Sequence, residues 1–158
     1  MQNKKDTKIF IAADHRGVGL KLYLIEMLTA AGYSVVNLGT DDTKTMVDFP
    51  DVAEWVATEM LNDPSPFGAE AGKTTRGILI CGSGAGVTIA ANRYRHIRAT
   101  RCDRPEMARE DRFHDDVNVL TLAADDIDPE VAFLTATAFL ESPFDAIERR
   151  IRRLEKIS

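Results

Sequence analysis

The sequence has few cysteines, no long apolar run and no excess of positive charge, and each shortage argues against a class of protein. Two cysteines, Cys81 and Cys102, occur without a CxxC spacing, which favours a reducing, cytoplasmic location over a disulfide framework. No apolar run approaches the ~18 residues of a membrane span, and the polar start MQNKKDTK is unlike a secretory signal. The net charge of −5 argues against a nucleic-acid partner, because phosphate backbones attract basic proteins.

The composition that remains is typical of one globular domain covering residues 1–158. Hydrophobic residues make up 44% of the chain and charged residues 28%, so a single core can form without disulfide or metal cross-links. The charge is nevertheless uneven, because the last ten residues contain four arginines: Arg149, Arg150, Arg152 and Arg153. A small anionic ligand is one explanation of that cluster.

Hydrophobic patterning predicts strands that alternate with helices. Apolar runs predict five strands, at 8–13, 33–38, 77–81, 97–102 and 118–122, and the strands at 33–38 and 77–81 are predicted to be buried. Three- and four-residue spacing predicts helices at 20–31, 51–61, 87–94, 104–111, 129–141 and 145–157. Between them, residues 62–76 contain two prolines and two glycines, a composition typical of a surface insertion.

This alternation predicts an α/β fold, namely a Rossmann-like three-layer αβα sandwich around a five-stranded parallel sheet. Ligands of such sheets bind beyond the carboxyl ends of the strands. Polar residues follow the first three predicted strands at that edge: Asp14-His15, Gly39-Thr40 and Gly82-Ser83. The sequence therefore places the candidate site there.

The segment GILICGSGAG, residues 77–86, places the thiol of Cys81 at the end of a strand and before a glycine-rich turn. Backbone N–H groups in such a turn can hold a phosphate or an anion that forms during a reaction. A neighbouring thiol can act as a base or a nucleophile. The alternative is structural: Cys81 is a small apolar residue that ends a strand, and the glycines only form a tight turn.

Two further polar positions allow a functional and a structural interpretation. Asp14 and His15 could contact a sugar hydroxyl and a phosphate, or Asp14 could cap the next helix beside a partly exposed histidine. His114, in RFHDDVN, is predicted to lie in a loop between a helix and a strand. It could project there as a general acid or base, or have no role in chemistry.

Arg149 and Arg153 are i,i+4 neighbours on the predicted last helix, so both guanidinium groups could bind one phosphate. Alternatively, they form a solvated face with Glu148 and Glu155. Cys102 follows a strand without a glycine turn and is interpreted as structural.

Taken together, these segments resemble the type B ribose-5-phosphate isomerase family, which also includes galactose-6-phosphate isomerase subunits. The resemblance runs from about residue 8 to residue 156. It rests on AADHRGVGLK (12–21), DFP (48–50), GILICGSGAGVTIAANRYRHIRA (77–99), HDDVNVL (114–120) and RRIRRLE (149–155).

The resemblance implies a homodimer or homotetramer with active sites between subunits, a C-terminal helix that reaches the partner, and no metal or organic cofactor. It implies that Cys81 is the thiolate base and that His114, from the neighbouring subunit, is the acid/base that opens the sugar ring. The implied catalytic residues are Cys81, Ser83, His114 and Asp14. The implied substrate-binding residues are His15, Gly82, Gly84, Ala85, Gly86, Asp115, Asn118, Arg149 and Arg153.

Two positions depart from the pattern of that family. Asp115 stands where the family usually has Asn after the histidine, and Asp125 stands where it commonly has a phosphate-binding Arg. A carboxylate near a phosphate is repulsive. Either a nearby arginine such as Arg150 or Arg104 compensates, or the substrate differs, or Asp125 points elsewhere.

The function expected from the resemblance is interconversion of ribose 5-phosphate and ribulose 5-phosphate by C1/C2 proton transfer through an enediolate. Two alternatives remain open: the same chemistry on a tetrose, another pentose or a hexose 6-phosphate, and a sugar-phosphate- or nucleotide-binding module without catalysis. A redox thiol protein is disfavoured, because no resolving cysteine stands near Cys81.

Overall fold

The structure, a computed structural model, describes residues 4–63 and 74–158. In these ranges a one-turn 3₁₀ helix, Lys4–Asp6, precedes five strands and six helices. In chain order these are β1 Thr7–Ala13, α1 Val18–Ala30, β2 Ser34–Leu38, α2 Phe49–Asn62, β3 Thr74–Cys81, α3 Ala85–Ala91, β4 Ala99–Arg101, α4 Pro105–Asp115, β5 Val119–Ala123, α5 Pro129–Glu141 and α6 Glu148–Glu155.

The strands form one sheet in the order β2-β1-β3-β5-β4, and every adjacent pair is parallel. Side chains alternate between its faces. Ile9 and Ile11 pack with α1, α4 and α5, whereas Phe10 and Ala12 pack with α2 and α3. Both faces are therefore covered, and the predicted three-layer αβα sandwich is confirmed.

Several predicted boundaries were wrong. The second strand, predicted to be buried, is half-exposed because β2 lies at the edge of the sheet. The helix expected near 104–111 continues to Asp115, so His114 lies in its last turn and not in a loop. Within the predicted insertion 62–76, Asn62 ends α2 and Thr74 begins β3; residues 64–73 lie outside the described residues.

The C-terminal helix is shorter than predicted, because α6 covers Glu148–Glu155 and not 145–157. It lies against the end of α4 through the buried side chain of Arg150. Its predicted approach to a partner subunit stays a prediction. In the part of the chain that the structure describes, every helix is too short or too polar to cross a lipid bilayer.

The strand order creates a switch point between β1 and β3. The chain leaves β1 towards β2 on one side, and leaves β3 towards β4 and β5 on the other. The loops after the two strands diverge and leave a crevice at the carboxyl edge. There the Asp14 N–H donates to the Ile80 carbonyl (3.1 Å), and the Ala124 N–H donates to the Cys81 carbonyl (2.9 Å).

Gly17 sets how closely the start of α1 approaches this edge. A Cβ on Gly17 would lie 2.7 Å from Ile80 Cγ2 and 2.9 Å from the Ile80 carbonyl oxygen, whereas a Cβ on Gly19 would meet nothing within 4 Å. Gly17→Ala should therefore destabilise the fold by about 1–3 kcal/mol through overpacking. Gly19→Ala should stabilise it by up to about 1 kcal/mol through helix propensity.

Urea unfolding of both variants measures this difference, with Gly19→Ala as the matched control. Equal stability of the two variants would show that α1 does not depend on the close approach at Gly17.

Candidate functional site

Asp14 fixes the turn that leads from β1 into α1. Its carboxylate is nearly buried, and Oδ1 accepts hydrogen bonds from the backbone N–H groups of Arg16 (2.9 Å) and Gly17 (3.1 Å). Asp14 therefore holds the turn that precedes α1, but it does not cap the helix as the structural alternative supposed, because the N-cap residue is Gly17 and has no side-chain cap. A carboxylate held this rigidly at the carboxyl edge is also preorganised for contact with a ligand.

Cys81 ends β3 at the same edge, with its side chain almost buried. The backbone N–H of Gly84 donates to Cys81 Sγ at 3.1 Å. Gly84 can do so because its φ of 74° is left-handed, a conformation that glycine adopts without strain. The contact places a backbone hydrogen-bond donor on the sulfur and fixes the position of the Cys81 side chain beside the turn.

The other residues of the turn are arranged around this thiol. Ser83 is exposed, and its Oγ accepts a hydrogen bond from the Ala85 N–H at 3.3 Å. Gly82 and Gly86 permit close approaches: a Cβ on Gly82 would lie 2.5 Å from the guanidinium carbon of Arg16, and one on Gly86 would lie 3.0 Å from the ring of Phe49. The turn is therefore closely packed on both sides.

Cys102 has a different environment, although it is also buried. Its Sγ donates to the carboxylate of Asp111 at 3.5 Å. Burial raises the pKa of the Cys102 thiol well above its ordinary value, and the negative charge of Asp111 raises it further. Cys102 is therefore held as a neutral thiol, which fits the structural role predicted for it.

His15 is half-buried and points towards the loop between β2 and α2. Its Nδ1 accepts a hydrogen bond from the Val47 N–H at 3.5 Å. The loop is held by Lys21, a fully buried residue of α1 whose Nζ donates to the carbonyls of Leu38 (3.0 Å) and Thr40 (2.7 Å) and pairs with Asp41. The hydrogen bond from Lys21 lowers the pKa of Asp41 below its ordinary value.

Two arginines lie against the glycine turn, and sequence reasoning assigned no role to either. Arg16 packs on Gly82 and forms an ion pair with Asp125. Arg101, at the end of β4, donates to the Ser83 carbonyl at 2.8 Å and pairs with Asp103 and Asp126. The compensating partner of Asp125 is thus Arg16, and neither Arg150 nor Arg104.

His114 lies at the opposite edge of the sheet, beside Arg150. The Arg150 guanidinium lies 2.7 Å from His114 Nδ1 and also pairs with Asp145. Because a guanidinium only donates, Nδ1 is the acceptor, and a neutral His114 ring carries its proton on Nε2. The exposed ring of His114 can therefore offer Nε2 to a ligand.

The two edges are too far apart to form one site within a chain. Val119 lies opposite Gly77 in the sheet, and Ala123 lies opposite Cys81. Four residues of strand separate these levels, which is about 13 Å. The structure brings Asp14, His15 and Cys81 together, and it leaves His114 with the amino edge of the sheet.

The remaining predicted substrate-binding residues also lie at the amino edge. The Asn118 side chain is buried, and both ends of its amide form hydrogen bonds within the chain. Its Nδ2 donates to the His96 carbonyl and its Oδ1 accepts from the Arg98 N–H, each at 2.7 Å. Asp115 and Arg153 are exposed and line an open cavity of 470 Å³. Arg149 is exposed as well.

A partly buried ion cluster of Arg98, Arg112 and Asp116 also lies at this edge. The Asp116 carboxylate accepts from Arg98 and from Arg112, both at 2.7 Å. Burial lowers the pKa of Arg112, and the negative charge of Asp116 acts in the opposite direction. Asp116 adopts a left-handed conformation, with a φ of 47°, that ends α4 directly after His114 and Asp115.

Solved structures and curated proteins resemble this chain over nearly its whole length. A ribose-5-phosphate isomerase B structure from Thermotoga maritima is 41% identical, with 95% of this chain and 96% of that chain covered and a TM-score of 0.84. One from Mycoplasma genitalium, with bound ribulose-5-phosphate, is 33% identical over 96% of this chain and 93% of that chain, with a TM-score of 0.85. The ribose-5-phosphate isomerase B of Escherichia coli is 33% identical over 96% of this chain and 94% of its own length.

The family model described as Ribose/Galactose Isomerase matches residues 9–157. This range includes most of β1, the glycine turn, His114 and α6. The chain therefore belongs to the Ribose/Galactose Isomerase family of sugar-phosphate isomerases.

Proposed function

We propose that this protein interconverts ribose 5-phosphate and ribulose 5-phosphate. One observation carries the proposal. The Cys81 thiol accepts a hydrogen bond from the Gly84 N–H, and it lies at the same edge of the sheet as the fixed carboxylate of Asp14. Relatives named ribose-5-phosphate isomerase B, one of them with bound ribulose-5-phosphate, support this choice of substrate.

In the proposed reaction the Cys81 thiolate removes the proton from C2 of the open-chain aldose. The C2–H electron pair forms a C1–C2 double bond, and the carbonyl oxygen at C1 becomes the enediolate oxygen. Backbone N–H groups of the Gly82–Gly86 turn are the proposed donors for this anion. A proton then passes from O2 to O1, the Cys81 thiol returns its proton to C1, and the ketose is formed with the thiolate regenerated.

Ring opening must precede this step, because ribose 5-phosphate is mostly cyclic. Asp14 and Ser83 are the proposed contacts of the sugar at the carboxyl edge, and His114 is the proposed acid/base. Since His114 Nδ1 faces Arg150, Nε2 is the nitrogen that would exchange a proton with the sugar.

The separation of His114 from Cys81 requires a second copy of the chain for this mechanism. We propose a homodimer, alone or within a tetramer, in which the amino edge of one subunit faces the carboxyl edge of the other. Asp115, Arg149 and Arg153 then stay predicted substrate-binding residues of the partner, whereas Asn118 is buried with both ends of its amide bonded within its own chain. The expected setting is the cytoplasm, where the two free thiols remain reduced.

The same chemistry on another sugar phosphate is the second candidate. It is favoured by the exposed carboxylate of Asp115, which shares a cavity with Arg153 and alters the charge offered to the substrate. A tetrose, another pentose or a hexose 6-phosphate would be the substrate in that case.

The test is turnover of purified protein on a panel of these sugar phosphates, with ketose formation as the readout. The highest kcat/KM on ribose 5-phosphate supports the proposal, and a clear preference for another sugar supports the second candidate. Tight binding of the panel without turnover would contradict both and indicate a binding module.

A further inference from the structure

The side chain of Arg16 forms part of the wall of the carboxyl-edge site. A Cβ added to Gly82 would lie only 2.5 Å from the guanidinium carbon of Arg16, so the guanidinium occupies the space that a side chain at position 82 would need. Gly82 directly follows Cys81 in the chain. The absence of a side chain at position 82 thus lets a cation pack on the residue next to the proposed base.

Asp125 fixes that cation in place. Its carboxylate pairs with Arg16, and its backbone N–H donates to the Gly82 carbonyl at 3.0 Å. Gly82, against which Arg16 packs, and Asp125, which pairs with Arg16, are therefore hydrogen-bonded to each other. Such a two-point attachment limits the positions that the guanidinium can adopt.

Arg16 still has donors for a ligand. A guanidinium has five N–H donors, and among the described residues Asp125 supplies the acceptor that the side chain of Arg16 uses. The Arg16 side chain is 56% exposed. Arg101, on the other side of the turn, already bonds the Ser83 carbonyl and two carboxylates.

We propose that Arg16 binds the phosphate of the substrate and that Asp125 is its positioning residue. The inference rests on the proposed function, in that the ligand is a phosphorylated sugar. Phosphate is the permanent charge of such a ligand, and a planar guanidinium binds it through two parallel N–H···O bonds. Asp125 accepts from one nitrogen of the Arg16 guanidinium, and the other N–H donors of that group stay available to a phosphate.

Direct binding of inorganic phosphate tests the proposal without any need for turnover. Calorimetry in a Cys81→Ala background compares the intact Arg16 with Arg16→Ala and Arg16→Lys. We expect phosphate binding to weaken about tenfold in Arg16→Ala and less in Arg16→Lys, which keeps the charge and loses the fork. The turn itself should persist, because it uses the backbone N–H of Arg16.

Lys4→Ala is the matched control, since Lys4 is a comparably exposed cation paired with Glu141 (side chains 45% and 48% exposed) in the segment before β1. It should leave phosphate binding unchanged. Asp125→Asn should weaken binding about two- to fivefold, because the cation remains and its anchor is lost. Unchanged phosphate affinity in Arg16→Ala, or no measurable phosphate binding with Arg16 intact, would overturn the proposal.

Steady-state kinetics with an intact Cys81 add a second readout. Arg16→Ala should raise KM for the sugar phosphate about tenfold and change kcat less than about threefold. A fall in kcat with unchanged KM would assign Arg16 to the reacting carbons and overturn the phosphate role. Absence of turnover in the unmodified protein would remove the proposed function, while the phosphate titration would still decide the role of Arg16.

Discussion

Cys81→Ala should lower kcat for the isomerisation about a thousandfold or more. The substitution removes the atom proposed to carry the proton between C2 and C1, and leaves the backbone of the turn intact. Alanine is smaller than cysteine and has no polar group to satisfy, so the buried position should tolerate it. The measurement is single-turnover and steady-state formation of ketose from ribose 5-phosphate.

Two controls separate a lost base from a lost fold. Cys102→Ala removes the other buried thiol, whose pKa is raised by burial and by Asp111, and should keep kcat within about twofold. The affinity of Cys81→Ala for the sugar phosphate, measured by calorimetry, should change little. Full activity of Cys81→Ala would exclude the Cys81 thiol as the base, whatever the activity of Cys102→Ala.

The sheet was predictable from the sequence because its strands are short apolar runs between polar turns. Ile9 and Ile11 on one face and Phe10 on the other are all apolar, as a strand covered on both sides requires. Strand order was not predictable in the same way. The sequence gives no local signal that β5 lies between β3 and β4, since that depends on how α4 and α5 pack.

The end of α4 shows why one boundary was missed. Helices often end at a glycine in the left-handed conformation, and here Asp116 adopts that conformation instead. It is stabilised there by ion pairs with Arg98 and Arg112, which lie 18 and 4 residues away along the chain. A pattern of residue types does not indicate these ion pairs, and so the sequence predicts a loop at His114.

The pairing of Arg16 with Asp125 was also not predictable from the sequence, because 109 residues separate the two. It depends on β3 lying between β1 and β5, so that both neighbouring loops reach Gly82. On α6 the i,i+4 spacing of Arg149 and Arg153 correctly places them on one side of the helix. Packing against Phe113 and His114 turns Arg150 inwards instead.

Mixing two inactive variants should restore activity if the proposed site is shared between subunits. Cys81→Ala and His114→Ala should each be nearly inactive as homodimers, the latter by about 10²- to 10⁴-fold. After unfolding and joint refolding, half of the dimers are mixed, and each mixed dimer has one intact site of two. We therefore expect recovery of about one quarter of the unmodified activity.

The matched control is a mixture of Cys81→Ala with Asp14→Ala. These residues lie at the same edge of one chain, since the loop of Asp14 bonds the end of β3. Every site of a mixed dimer then lacks one of the two groups, and no recovery is expected. Recovery in the first mixture and not in the second requires His114 to act in the site that contains the Cys81 of another subunit. A monomer with full activity, or no recovery from refolded mixed dimers, would contradict the shared site, because the separation of about 13 Å along β5 must then be closed within one chain.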